Sequence, residues 1–458
     1  MTFALRDYQQ DMIDRTRVAL RTSRRVLIQS PTGSGKTALA AAMLGTASQR
    51  GSRCGFLVHR QELIDQTIAT FTKVGIPFGV IAAGYSPNPF AAVQIASIDT
   101  LKNRLEKIIP FDFLVVDEAH HASAAGWAKT IDHFSSAYVV GLSATPARLD
   151  GKGLDHIFHD IVIGPKVSWL MEQGFLADYR AFAPPPPDLA GVHTRMGDFA
   201  RGELADAMDK PSITGDAVAH YLKLARDRQA VCFCISVQHS KHVADTFRAA
   251  GIMAWHLDGN TPRDERRKAI DAYRKGDIKV LCNVDLFGEG FDLPSIDVSI
   301  LLRPTKSLAL YLQQVGRSLR PGVGKTAIIL DHAGNIMRHG MPDDERQWSL
   351  NGAPKSERAT AVRNCPKCFA AHKPALTCPE CGHDYRSDET ADTGRKVEQI
   401  DGELVEIDKA VMRRRANVDQ ARAQTLDDLI ELGRKRGYKN PAFWASKIWT
   451  SRRARRAA

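Results

Sequence analysis

The sequence predicts an α/β chain with two lobes in tandem, each a parallel sheet with helices on both faces. Strand-like apolar runs alternate with helical patterns in residues 1–147, and the same alternation returns in residues 215–340. The pattern loosens in residues 148–214, which we interpret as a partly helical connector. A small module with two pairs of cysteines follows in residues 360–386, and a basic helical tail in residues 410–458.

Ten apolar runs predict the strands of the two sheets. Near-continuous apolar runs are typical of parallel strands that are buried on both faces. The predicted strands are 26–29, 55–58, 93–96, 113–116 and 138–142 in the first lobe, and 230–235, 253–256, 280–283, 298–302 and 327–330 in the second.

The string SPTGSGKT follows the first predicted strand and opens a helical segment, which is the context that a phosphate-binding loop needs. Gly33 and Gly35 allow successive backbone N–H groups to point into one concavity, and the helix beginning near Lys36 adds its positive end. We expect Lys36 to reach the β- and γ-phosphates of a nucleotide and Thr37 to hold Mg²⁺. Ser30 departs from the common pattern, which has glycine at this position. The expected nucleotide-binding residues of the loop are Pro31, Thr32, Gly33, Ser34, Gly35, Lys36 and Thr37.

A second apolar run, about eighty residues later, ends in the string DEAH, which begins at Asp117. A buried parallel strand would deliver Asp117 and Glu118 to its carboxyl end, where open α/β sheets bind ligands. We expect Asp117 to contact Mg²⁺ from just beyond its direct ligands, and Glu118 to orient or deprotonate the attacking water. Together with Lys36, these carboxylates predict a nucleoside triphosphatase that uses Mg²⁺.

Length and composition set the broad class of the chain. At 458 residues it should hold two or three domains. No apolar stretch approaches the ~18 residues of a membrane span, and the first ten residues lack the features of a signal peptide. We therefore expect a cytoplasmic protein without membrane contact.

The eight cysteines divide into two groups of four. Cys54, Cys232, Cys234 and Cys282 lie in strand-like runs and are expected to be buried as small hydrophobic residues. The other four have the spacing C-x₂-C-x₉-C-x₂-C, which in a cytosolic chain predicts metal binding rather than disulfides. We expect a structural four-coordinate Zn²⁺. His372 or His383 could substitute as ligands, although four thiolates already complete the site. The predicted ligands are Cys365, Cys368, Cys378 and Cys381.

Further strings occur in a fixed order around these motifs. They are LRDYQ (5–9), FLVHRQELIDQ (56–66), ASIDTL (96–101) and GLSATP (141–146) in the first block, and FCISVQHS (233–240), VDLFGEGFDLP (284–294) and QQVGRSLRP (313–321) in the second. Over roughly residues 3–335 this set resembles the motifs of superfamily 2 helicases. Within that group it is similar to the DEAH-type DNA helicases related to type III restriction motor subunits and phage branch-migration helicases. The string ATPARLDGKGL (144–154) is also similar to that group.

The resemblance implies two RecA-like lobes that close on Mg·ATP, and it assigns roles to single residues. Arg6 and Gln9 match the motif that reads adenine. His120 and the turn at 143–145 match elements that couple the state of ATP to lobe movement. Asp292 matches a ribose or inter-lobe contact.

The string that begins at Gln313 matches the arginine-finger motif, so Arg317 and Arg320 would reach the γ-phosphate only when the cleft closes. On a helix, these three residues would share one face.

Nucleic-acid contacts are expected across the tops of both lobes. The candidates by motif are Arg60, Gln61, Thr100 and Gln238, which would hold phosphates without reading the base sequence.

The net charge of +11 is concentrated at the end of the chain. Residues 411–458 hold 13 Lys or Arg against four Asp or Glu. Such a segment is either a solvated end or a phosphate-binding arm, and we favour the arm. Protein partners could also dock there. The spacing of apolar residues predicts a helical hairpin, although a tryptophan could instead stack on bases. The residues of this pattern are Leu426, Leu429, Ile430, Gly437, Asn440, Pro441, Trp444, Ile448 and Trp449.

These features predict an ATP-dependent DNA helicase or translocase. Three alternatives stay open at this point: a double-strand DNA translocase of a restriction or defence assembly, an RNA helicase, and an ATP-gated binding module with incidental turnover. Glu118, Arg317 and Arg320 argue against the last. Strand polarity, the preferred DNA structure, the biological pathway and the oligomeric state are not predicted.

Overall fold

A computed structural model describes residues 5–59, 61–146, 153–183, 187, 189, 191–195, 197–209, 211–286 and 296–352. Beyond them it describes 363–364, 371–372, 376–377, 382–385, 406–407, 423, 425–435, 441–443, 445–446 and 448–449.

The first lobe is built on a seven-stranded sheet with the order β3-β4-β2-β5-β6-β1-β7, and all its neighbouring strands pair in parallel. The inner strands are buried along almost their whole length because helices cover both faces. The strands are β1 (Arg25–Gln29), β2 (Cys54–Val58), β3 (Phe78–Ile81), β4 (Val93–Ser97), β5 (Phe113–Val116), β6 (Tyr138–Ser143) and β7 (Asp160–Ile163).

The second lobe repeats this architecture with the order β12-β13-β11-β14-β15-β8-β18. Its pairs are parallel except for the short edge strand β18, which runs antiparallel to β8. The strands of this sheet are β8 (Asp178–Phe182), β11 (Ala230–Phe233), β12 (Ala254–Leu257), β13 (Val280–Asn283), β14 (Val298–Leu301), β15 (Thr326–Asp331) and β18 (Glu406–Ile407). Two small hairpins are formed by β9 (Thr194–Arg195) with β10 (Asp198–Phe199), and by β16 (Arg363–Asn364) with β17 (Ala371–His372).

Helices connect the strands within each lobe. The first lobe holds α1 (Asp7–Ala19), α2 (Lys36–Gln49), α3 (Gln61–Val74), α4 (Ile98–Leu101) and α5 (Ala125–His133), with 3₁₀ turns at Leu105–Lys107 and Ala119–His121. The segment between the lobes holds α6 (Val167–Glu172), α7 (Arg201–Met208) and the start of α8 (Pro211–Leu224). The second lobe holds α9 (Val237–Ala249), α10 (Arg263–Lys275), α11 (Leu308–Ser318) and α12 (Asn335–His339). Helix α13 (Leu426–Lys435) lies in the tail.

All ten predicted strands are present, and the structure adds strands that the apolar pattern missed. β3 contains Gly79, and β7 begins with Asp160 and has one buried position, so neither forms a continuous apolar run. Residues 148–214, which we interpreted as a connector, contribute β7 to the first sheet and β8 to the second. The connecting segment therefore adds one strand to each of the two sheets.

The predictions for the four strand-region cysteines and for the tail can be compared with the described residues. Cys54, Cys232, Cys234 and Cys282 are buried, as predicted. In the tail, Leu429 and Ala445 are buried together, with Ile430, Ile448 and Trp449 packed against them. Leu426 is instead exposed, and Gly437, Asn440 and Trp444 lie outside the described residues.

No helix in the part of the chain that the structure describes is long and apolar enough to cross a membrane.

Candidate ATP site between the lobes

The predicted phosphate-binding loop leaves the carboxyl end of β1 and turns into α2, which begins at Lys36. Gly33 and Gly35 have φ values of 86° and 85°, in the left-handed region that favours glycine. A β-carbon on Gly35 would lie 2.6 Å from Nε2 of Gln9, so a side chain at this position would also displace the amide of Gln9. The backbone thus adopts the curled form that the motif predicts.

Ser30, the departure from the usual loop pattern, takes part in a hydrogen-bond chain inside the loop. Its hydroxyl lies 2.6 Å from that of Ser34, which in turn donates to the carbonyl of Pro31 at 2.6 Å. Both serines are buried. The hydroxyl of Ser30 therefore braces the loop from within, a role that a glycine could not play.

The loop is also held from α1, the helix of the proposed adenine motif. The hydroxyl of Tyr8 and Nε2 of Gln9 both donate to the carbonyl of Ser34, at 2.7 and 3.0 Å. Oε1 of Gln9 accepts from the backbone N–H of Arg6 at 3.0 Å, and the Arg6 guanidinium lies over the ring of Phe175, 4.4 Å from its centroid. Gln9 thereby links the start of α1 to the phosphate loop.

Asp117 and Glu118 lie at the carboxyl end of β5, beside the loop. Asp117 is 7% exposed, and burial raises its pKa to about 6; the charge of Glu118 adds to this rise, whereas Lys36 opposes it. Glu118 has a φ of 46°, an uncommon conformation for a residue with a side chain. Its Oε2 is buried and lies 3.5 Å from Nδ1 of His120.

The turn after β6 contacts both the DEAH string and the loop. The hydroxyl of Ser143 lies 3.4 Å from Nδ1 of His120 and donates to the carbonyl of Thr145 at 2.6 Å. Nε2 of Gln29, at the end of β1, donates to the carbonyl of Ala144 at 2.9 Å. Glu118 contacts His120, and His120 contacts Ser143. A change at the Glu118 carboxylate can therefore reach this turn through direct contacts.

The second lobe closes on the loop through α11. A β-carbon on Gly316 would lie 2.6 Å from Cβ of Thr32, so only glycine allows this approach. Gln313 and Arg317, on the same helix, are 4% and 5% exposed. Cγ of Arg320 lies 3.9 Å from the position that a β-carbon on Gly33 would take. The structure thus brings the arginine motif of one lobe to the phosphate loop of the other.

The helix that carries this motif is shorter than predicted. α11 ends at Ser318 with Leu319 as its C-cap, so Arg320 lies beyond the helix and does not share a helical face with Gln313 and Arg317. The reason is Pro321, because the residue before a proline is pushed away from the helical conformation.

Two backbone groups past α11 are fixed by residues that the motifs did not indicate. Nζ of Lys325 donates to the carbonyl of Arg320 at 2.9 Å, and the N–H of Ala177 donates to the carbonyl of Leu319 at 2.8 Å. Burial lowers the pKa of Lys325 to about 8. Neighbouring Leu176 reaches the loop, 2.9 Å from the position of a β-carbon on Gly33. The contacts of Leu176 and Ala177 join segments far apart in the chain, which is why no sequence pattern indicates them.

Several predicted site residues are not placed by the structure. Asp292 and Arg60 lie outside the described residues, and of Gln61 only its position as the first residue of α3 is described. Thr100, on α4, is half-buried, and Gln238, on α9, is exposed.

The donor set fits a magnesium nucleotide. Two adjacent carboxylates lie near Lys36, and the pKa of Asp117 is raised first by burial and then by the negative charge of Glu118. Among the described residues, Nζ of Lys36 donates one long hydrogen bond, 3.4 Å to the carbonyl of Ser30. A divalent cation bound to phosphates would relieve the repulsion between the carboxylates. The fold and site thus define an α/β protein with the parts of an ATPase at a cleft between two lobes.

Comparisons with known proteins name the family. Residues 2–148 match the type III restriction enzyme res subunit, and residues 214–322 match the helicase conserved C-terminal domain. A 51.5 kDa protein of a Lactococcus phage (isolate 7-9) is 36% identical, with 84% of each chain covered. The putative ATP-dependent helicase IRC3 of Saccharomyces cerevisiae is 30% identical over 69% of this chain and 49% of its own length.

The fold is shared with the solved structure of the ATP-dependent Type ISP restriction-modification enzyme LlaBIII bound to DNA. The TM-score is 0.55 at 18% identity, with 72% of this chain and 28% of that chain covered. The chain belongs to the superfamily 2 helicases. It spans about half the length of the yeast relative and less of the restriction-modification enzyme.

Proposed function

We propose that this chain is a DNA-stimulated ATPase of the DEAH type that moves along DNA as its two lobes close and open on Mg·ATP. The observation that carries the proposal is the approach of α11 to the phosphate loop at Gly316 and Thr32. It supports a cleft whose catalytic residues come from both lobes. Hydrolysis would then depend on closure, which is how such a motor converts ATP turnover into movement.

The role of each ATP-site residue is part of this proposal. Lys36 contacts the β- and γ-phosphates, Thr37 and Asp117 hold Mg²⁺, and Glu118 positions the attacking water. Arg317 and Arg320 stabilise charge on the transferred phosphate, and Gln313 lies beside them. Arg6 and Gln9 bind adenine, and Asp292 contacts the ribose or the other lobe.

DNA is favoured over RNA as the nucleic acid along which the protein moves. The restriction-modification enzyme that shares the fold was solved bound to DNA, and the first lobe matches a restriction-enzyme subunit. The same relatives favour a second candidate, a double-strand translocase that moves on DNA without separating its strands.

The decisive experiment measures ATPase rate and strand displacement over forked DNA, single-stranded DNA, duplex DNA and RNA. A helicase should be stimulated by forked or single-stranded DNA and should displace a strand. A duplex translocase should be stimulated by duplex DNA and release no strand. Stimulation by RNA alone would overturn the proposal.

A zinc ribbon in residues 360–386 is a further part of the proposal. The four cysteines lie outside the described residues, but the segments beside them pair. β16 and β17 flank the first cysteine pair, and Thr377 pairs with Asp384 across the second. Gly382, which follows Cys381, has a φ of 71°, as the tight turn of such a site requires. These antiparallel pairs support a ribbon.

We expect metal analysis of the purified protein to return about one zinc per chain. Cys378→Ser should lower this content and locally disrupt residues 360–386, because a zinc site's binding energy is also its folding energy. ATPase activity should persist, since the motor motifs end near residue 335. A zinc content that Cys378→Ser leaves unchanged would argue against these ligands. Cys234→Ser, at a buried cysteine that directly follows β11, is the control.

The basic tail is proposed as a nucleic-acid arm. Its excess of basic over acidic residues supports the proposal. Truncation after residue 408 should leave a folded ATPase that needs more DNA for stimulation. The slope of log affinity against log salt should flatten by about 0.9 for each lost phosphate contact. This truncation retains β18, so the second sheet is intact. Equal affinity and equal slope in both proteins would favour a protein-docking role for the tail.

A further inference from the structure

The chain that follows the motor motifs crosses from the second lobe back to the first. Residues 340–352, here called the strap, leave the end of α12 and reach residues 153 and 154. From the sequence this segment is merely polar, and none of the helicase motifs includes it.

At its beginning the strap is fixed to α11, the helix that carries Arg317. The hydroxyl of Tyr311, which is buried on α11, donates to the carbonyl of Gly340 at 3.0 Å. The ring of His339 stacks on that of Tyr311, with centroids 5.4 Å apart. The hydroxyl of Tyr179, on β8, also bonds to Asp343.

Arg346 gives the strap its shape. Its guanidinium donates to four backbone carbonyls, those of His339, Met341, Pro342 and Asp344, at 3.2, 2.8, 3.2 and 3.0 Å. The Asp344 carboxylate closes the turn by accepting from the N–H of Met341 at 2.9 Å. A planar fork with several donors suits this arrangement, whereas the point charge of a lysine does not. The first half of the strap is therefore a preformed turn attached to the second lobe.

The other end is fixed to the first lobe. The carbonyl of Leu350 accepts from the N–H of Leu154 at 2.7 Å. A β-carbon on Gly153 would lie 2.2 Å from the same carbonyl, so the two backbones are in close contact. The side chain of Leu350 packs against the first-lobe core cluster that includes Ala119 of the DEAH string and Phe158.

The strap also forms one wall of a cavity of about 350 Å³ between the lobes. Thr32 of the phosphate loop and Gly316 of α11 line the same cavity, as do Arg346 and Trp348 of the strap. The strap thus lies across this cavity from the contact between the phosphate loop and α11, the contact at which the two lobes meet.

We propose that the strap is a positioning element of the ATPase, which limits the opening of the cleft and keeps Arg317 and Arg320 near the phosphate loop. The strap is a second connection between the lobes, in addition to the connector at 148–214. It restricts how far they can separate, which lowers the entropy cost of each closure, just as a short linker raises the effective concentration of two linked groups. The strap also connects the motor to all residues after 352, so a force on the C-terminal module would act on the cleft. The inference rests on the proposed role of the two arginines.

The test uses Leu350→Ala in the full-length protein, with kcat and KM for ATP measured at saturating DNA. We expect kcat to fall about tenfold, because a misplacement of about 1 Å at a catalytic group can cost up to ~100-fold. KM should change less than twofold, since the phosphate loop and α1 are untouched. Arg346→Lys should act in the same direction. Leu376→Ala, at a leucine that is 70% exposed and lies outside the strap, is the matched control and should leave kcat unchanged.

Combining Leu350→Ala with the loss of both arginines separates positioning from simple stabilisation. If the strap acts through the arginines, Leu350→Ala should lower kcat no further in a background that carries both Arg317→Ala and Arg320→Ala. Independent, multiplied losses would overturn the proposal, as would a wild-type kcat in both Leu350→Ala and Arg346→Lys. If the loss of both arginines alone keeps the wild-type kcat, the proposed function of the arginines fails instead.

Discussion

Glu118→Gln should keep ATP binding and lose ATP turnover. The amide retains the size of the side chain but can neither take a proton from water nor hold the water with a negative charge. General-base contributions are typically about 10²–10⁴-fold, so kcat should fall by that factor. Glutamine has the same size and branching as glutamate, so it should leave the left-handed backbone at residue 118 and the contact with His120 in place. Alanine would remove the side-chain atoms that lie beside His120. The measurement is DNA-stimulated ATPase rate together with equilibrium binding of a fluorescent ATP analogue.

Two other variants make this result specific. Glu106→Gln changes an exposed carboxylate in the same lobe and should leave both quantities at wild-type values. Lys36→Ala should instead weaken nucleotide binding as well as turnover, because the loop loses its point charge on the phosphates. A wild-type rate in Glu118→Gln would show that the DEAH carboxylate has been given the wrong role.

The fold could be predicted because each sheet is made of buried parallel strands. Such strands appear as continuous apolar runs, and all ten predicted runs are strands. β7 and β8 were missed for a physical reason. They lie in the segment between the lobes, where the pattern is weaker, and they become strands by pairing with β1 and β15.

The local geometry of the candidate ATP site could be predicted where one short string determines it. The loop at 30–37 and the DEAH string fix their own local geometry, and the structure places them side by side at the ends of β1 and β5. Leu176 and the strap could not be predicted. Their effect comes from contacts between distant segments, such as Leu154 with Leu350, and those exist only in the folded chain.

Loss of both arginines of the second lobe should lower turnover more than any change at an exposed residue. Arg317 and Arg320 belong to the second lobe, yet α11 meets the phosphate loop at Thr32. In the proposed function they would stabilise charge on the γ-phosphate only while the cleft is closed. For Arg320→Ala we expect turnover to fall by about 10³–10⁵-fold with a modest change in ATP affinity. The loss is smaller if Arg317 compensates, and the double variant measures that compensation.

Arg317 is 5% exposed, so its replacement by alanine leaves a buried cavity and could destabilise the second lobe. Loss of catalysis must therefore be distinguished from loss of folding. Arg320→Lys keeps a positive charge but not the planar fork, so it should recover only part of the rate if two hydrogen bonds to phosphate matter. Arg267→Ala, at an exposed position of α10, should stay within twofold of wild type in the same assay. Thermal unfolding of each variant reports whether the second lobe is intact. If the folded double variant hydrolyses ATP at the wild-type rate, closure does not gate the chemistry, and movement would have to be driven by nucleotide binding within the first lobe alone.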